Sequence, residues 1–89
     1  MKPQRIDPRD TCWEIEDPAY RVYFWSQGGA QGAIRASEEW QLTDASDVRA
    51  VLSWAAENSN DRQFVVYVSA RTDDGLGLIR LLGADPSAP

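Results

Sequence analysis

Residues 43–60 read TDASDVRAVLSWAAENSN, and within them the apolar period changes from two to about 3.6. Val48, Val51, Leu52 and Ala55 recur at helical spacing, while Asp47, Arg49, Ser53 and Glu57 lie off that stripe. The pattern predicts one amphipathic helix from about Asp44 to Asn58. Thr43 or Asp44 is the expected cap, since a short side-chain oxygen there can accept from a free N–H of the first turn. Asp44 and Asp47 also suit the positive end of the helix dipole. Asn58-Ser59-Asn60-Asp61 ends the helix, because asparagine tolerates the left-handed conformation. Trp54 flanks the stripe and is expected to bridge the helix to a sheet edge.

On both sides of this helix the sequence alternates with the period of a strand. Before it lie three candidates. Cys12–Glu16 sets Trp13 and Ile15 against Glu14 and Glu16, and Asp17-Pro18-Ala19 ends it. Tyr20–Ser26 points Tyr20, Val22 and Phe24 one way and Arg21, Tyr23 and Trp25 the other. After a glycine-rich loop, Gln27–Gly32, a third strand runs from about Ala33 to Leu42. Ile34, Ala36, Trp40 and Leu42 share its apolar face, and Glu38 falls among them. A bulge near Glu38-Glu39, or an edge position, would resolve that conflict. After the helix come Gln63–Ala70 and Leu76–Leu82, joined by Thr72-Asp73-Asp74-Gly75, where Asp-Gly suits the positive φ of a hairpin turn.

The order β-β-β-α-β-β predicts an α+β domain, with an antiparallel sheet of four to five strands and one helix on one face. Residues 11–84 form that domain, between a flexible lead-in at 1–10 and a flexible tail at 85–89. The aliphatic helix stripe should cover Val22, Phe24, Ile34, Trp40, Phe64, Val66, Val68, Ile79 and Leu81. The opposite face then displays Tyr23, Trp25, Val65, Tyr67, Leu78 and Leu82, with Arg21, Arg35 and Arg80 around them. Tyr, Trp and Arg together are the residues most enriched at binding hot spots. That face is therefore the candidate interaction site, unless the N-terminal strand folds across it.

Composition narrows the chemistry. The 89 residues carry a net charge of −5, with 9 basic side chains, of which only Lys2 is lysine, and no histidine. Such a balance disfavours phosphate neutralisation, so nucleic acid and anionic membrane surfaces are not expected partners. No apolar run approaches a membrane span, and the polar N-terminus does not read as a signal segment, so a cytoplasmic protein is the default. Cys12 stands alone, which leaves no intrachain disulfide and no thiolate cluster for a metal. Without histidine the commonest general base and transition-metal ligand are both missing. Glu14 and Glu16 read as a solvated edge, and Asp73-Asp74-Gly75 lacks the rest of a calcium loop. The glycines at 28, 29 and 32 follow a strand but open no helix to hold an anion. No enzyme activity and no cofactor are expected.

Three stretches, YRVYFW, LTDASDVRAVLSWA and GLIRLLGADP, together resemble a group of small actinobacterial proteins of unassigned function, over most of residues 13–86. The tryptophan-bearing helix followed by a hairpin ending in GLIRL is also similar to immunity proteins of bacterial polymorphic toxin systems. That resemblance implies a compact, acidic, non-catalytic inhibitor acting by direct contact. The expected function is thus a protein-interaction module using Arg21, Tyr23, Trp25, Arg35, Val65, Tyr67, Leu78 and Arg80. Its acidic balance would steer a basic partner such as a nuclease toxin towards it. The alternatives are a homodimer that buries the same face on itself, or a small-ligand site at the Gly28–Gly32 loop.

Overall fold

The computed structural model describes residues 1–11, 13–15, 18–27 and 34–84, except the side chains of 10, 26, 27 and 34–37. Four strands, β1 (Tyr20–Gln27), β2 (Ile34–Leu42), β3 (Gln63–Thr72) and β4 (Gly75–Leu82), form one antiparallel sheet in the order β2-β1-β3-β4. The helix α1 (Val48–Asn58) links β2 to β3, and a single 3-10 turn occupies Pro8–Asp10. The chain is therefore α+β, with the helix on one sheet face. The expected first strand does not form: Trp13, Glu14 and Ile15 are unpaired, and Cys12 and Glu16 lie outside the described residues. Alternation orients side chains but supplies no neighbour. Ala19 is already engaged, its carbonyl accepting from the Ser69 N–H at 2.9 Å and the Ser69 hydroxyl at 3.0 Å.

The helix face is built by register. Tyr20, Val22 and Phe24 stand opposite Val68, Val66 and Phe64 on one side and opposite Leu42, Trp40 and Glu38 on the other. Tyr20, Val22, Phe24 and Val66 are buried under Val51 and Ala55 of α1, with Leu42, Leu52, Trp54, Phe64 and Val68 packed around them. Trp54 meets Trp40 edge-on at 5.5 Å and Phe24 at 5.9 Å, which makes the bridge to the sheet edge. Edge position accommodates Glu38 among these apolar groups, and the irregularity in the pairing falls between Trp25 and Gln27, not at Glu38.

The helix starts later than its spacing suggests. Asp47 is the N-cap, its Oδ1 accepting from the Ala50 N–H at 3.1 Å, while Asp44 sits at φ 57° in a left-handed bend before it. Neither Thr43 nor Asp44 caps. At the other end the expected stop is found, with Asn60 and Asp61 at φ 51° and 62°. In the β3–β4 hairpin neither Asp73 nor Asp74 has a positive φ; Gly75 takes it, at 106°. A turn of that kind, followed by a left-handed glycine, is the usual longer alternative to a two-residue primed turn.

The larger departure concerns β4. Eleven helical residues span about 16 Å, and the cluster under α1 draws on β1, β2 and β3 with no side chain from β4. Ile79 and Leu81, expected beneath the helix, are 57% and 44% exposed. The pairing also shifts between Val66 and Tyr67, which inserts Leu81 as an extra residue and sets Leu82 opposite Val66. Leu82 therefore belongs to the helix side of the sheet and not to the aromatic face.

Candidate functional site

Two of the sheet's cross-strand rows carry the aromatic face. In one, Gln41, Arg21, Tyr67 and Arg80 stand side by side across β2, β1, β3 and β4. In the next, Glu39, Tyr23 and Val65 line up, followed by Trp25 opposite Gln63. Tyr23 and Tyr67 are diagonal neighbours, and their rings meet at 5.3 Å with a tilt of 58°, a spacing at which aromatic pairs attract. Beyond Tyr67 the same face continues through Ser69 and Leu78 to Arg71 and Leu76, at the hairpin end.

Seven of the eight expected residues are thus on one face; the side chain of Arg35 lies outside the described residues. Their availability differs. Val65 is fully buried and cannot be touched by a partner; it forms the floor of the face. Tyr23, Trp25, Tyr67 and Arg21 are half-buried, and Leu78 and Arg80 are exposed. The Trp25 indole Nε1 is buried and meets no hydrogen-bond acceptor among the described residues. Arg71 and Leu76 were not singled out from the sequence. Strand parity could have found them, since Arg71 lies four residues beyond Tyr67 on the same face.

Charge is distributed unevenly. Among the described residues, ion pairs join Arg9 to Asp7 and Arg62 to Glu38, while Arg21, Arg71 and Arg80 have none. The acidic Asp44, Asp47, Glu57 and Asp61 lie on or next to α1, on the far side of the sheet. A net-acidic molecule therefore presents a basic aromatic face, with Glu39 as its one opposing carboxylate among the described strand residues. The hollow bordered by Arg21, Tyr23, Glu39 and Gln41 holds about 250 Å³ and is open to solvent. That is small for a site that engulfs a ligand.

The other polar cluster is structural. Arg62 donates from Nε to the Ser59 carbonyl at 2.8 Å, from one terminal nitrogen to the Asn58 carbonyl at 3.0 Å, and from the other to Glu38 at 3.1 Å. Its guanidinium also lies 4.6 Å from the centroid of the Phe24 ring. Glu38 accepts from the Trp40 indole at 2.7 Å as well. That indole bond first, and Arg62 second, hold the Glu38 carboxyl below its ordinary pKa. No histidine, cysteine, aspartate or glutamate triplet among the described residues is arranged to hold a metal ion. No helix among them is long and apolar enough to cross a membrane. No family model, curated protein or solved structure matches the chain.

Proposed function

We propose that the chain is a non-catalytic protein-interaction module that receives its partner on the sheet face and edge around β4. The observation that carries this reading is the Tyr23–Tyr67 pair standing between Arg21 and Arg80, neither of which has an ion pair among the described residues, beside the exposed Leu78. Tyrosine and arginine around a dry apolar floor are the usual composition of a hot spot. Open edge strands are a standard receptor for extended segments. The basic character of the face favours an acidic contact there, whatever the net charge does at long range. An immunity-type role is the form of this reading in which the partner is a toxin. An adjacent toxin gene would be its observable.

The test is photo-crosslinking in cells of the source organism, with the reactive side chain placed at Leu78 and, as a control, at Arg49 on the helix side. A discrete adduct from position 78, absent from position 49 and lost when Tyr23→Ala and Arg80→Glu are added, supports the module. Equal or absent adducts at the two positions would sink it. An adduct of twice the chain mass would favour self-association, the second reading, which a separate set of observations supports.

A further inference from the structure

Among the described residues nothing pairs with the outer edge of β4, a condition that monomeric proteins avoid. Natural edge strands are short, bulged, charged or covered, because an unpaired ladder invites another strand. The opposite edge, β2, follows this rule with Glu38 and Glu39 at its centre. β4 does not. Its eight residues, GLGLIRLL, contain no proline and one charge, and Leu76, Leu78, Ile79, Leu81 and Leu82 are all between 38% and 57% exposed. Its two faces also differ. Gly77, Ile79 and Leu82 look to the helix side, while Leu76, Leu78 and Arg80 look to the aromatic face.

A segment of matching pattern lies unused in the same chain. Trp13 and Ile15 are 65% and 47% exposed, they alternate with Glu14, and none of the three is paired in a sheet. Laid along β4 as a strand, this segment would set Trp13 and Ile15 over Ile79 and Leu82. Glu14 would then fall on the aromatic face near Arg80, which has no ion pair among the described residues. Within one copy this does not occur. Trp13 instead borders an open hollow of about 430 Å³ with Arg71, Thr72 and Asp73, at the hairpin end of the sheet.

We propose that Trp13, Glu14 and Ile15 of one copy seat as a fifth strand on the β4 edge of a second copy, and that the exchange is reciprocal. The arrangement closes with two-fold symmetry, since each copy gives one strand and receives one. It also covers apolar surface, since Trp13, Ile15, Ile79, Leu81 and Leu82 are each more than two-fifths exposed in one copy. The exchange rests on the reading of the β4 side as an interaction surface, and names its occupant.

Light scattering of the full chain over a concentration series tests it, together with isotope-filtered NMR on a mixture of labelled and unlabelled protein. The expected result is twice the 10.0 kDa chain mass, with intermolecular contacts between the Trp13 ring and the Ile79 methyls. Trp13→Ser should abolish the dimer, and Glu14→Arg or Arg80→Glu should each weaken it at least tenfold. The double charge reversal should recover most of that loss. All three side chains are exposed, so thermal unfolding of the monomer should not change, and Arg80→Gln provides a milder check. A monomer at every concentration overturns the inference, as do Trp13–Ile79 contacts found only within one chain. A dimer indifferent to Trp13→Ser and Arg80→Glu overturns it too. If the chain is monomeric and position 78 still captures a different protein, the exchange fails and the interaction module stands. If position 78 captures nothing as well, both fail.

Discussion

Gly83 holds a conformation that a side chain would contest twice over. Its φ is 87°, and a Cβ there would stand 2.4 Å from the Phe64 carbonyl oxygen, in backbone that cannot yield. Gly83→Ala should therefore destabilise the fold by about 2 kcal/mol or more, since a left-handed non-glycine residue alone costs of order 1–3 kcal/mol. Chemical denaturation would show a lower midpoint with an unchanged slope. Glu38, like Asp7, has a lowered folded pKa, so its contribution is present above the unfolded value and is lost as pH falls through the folded one. Glu38→Gln should flatten the acid limb of a stability–pH curve and leave the alkaline side unchanged; an acid limb as steep as the parent's would contradict this. Neither residue's role could be read from the sequence. Glu38 stood out as a carboxylate on an apolar face, but its partner Arg62 is 24 positions away, beyond the reach of local pattern.

Elements were more legible than the contacts between them. The alternation from Tyr20 to Trp25 and from Gln63 to Ala70, and the stripe Val48-Val51-Leu52-Ala55, correspond to β1, β3 and α1. The cap was expected at Thr43 or Asp44 and lies at Asp47, because spacing cannot say which side-chain oxygen faces a free N–H. Asp47→Ala should cost about 1 kcal/mol, whereas Thr43→Ala should stay within about 0.5 kcal/mol; equal losses on urea unfolding would refute the assignment. The failure at β4 has a different cause. Its residues have the right types for a core, but an 11-residue helix is too small to roof four strands. Periodicity reports which residues share a face and not how far a cover extends. The candidate face was legible for the same reason, since parity alone groups Arg21, Tyr23, Trp25, Tyr67, Leu78 and Arg80; the burial of Val65 beneath them was not.

At the scale of the whole molecule, the hydrogen bonds of the first ten residues to other described residues are local. Asp7 and Arg9 bond each other, and the Thr11 hydroxyl donates to the Pro8 carbonyl. Removing residues 1–10 should therefore shift Tm by no more than about 4 °C, which a calorimetric scan of the shortened chain would check. The sheet, by contrast, is knit across long separations, and Arg62 ties its β2 edge to the end of the helix. Because a single guanidinium serves the last carbonyls of α1 and the carboxylate of β2, neither can fray while the other stays fixed. Amide exchange at residues 55–58 and at 38–40 should then report one shared opening event, and Arg62→Met should split it into two independent rates. An edge strand and a helix terminus that touch no common backbone would, in that case, behave as a single cooperative hinge.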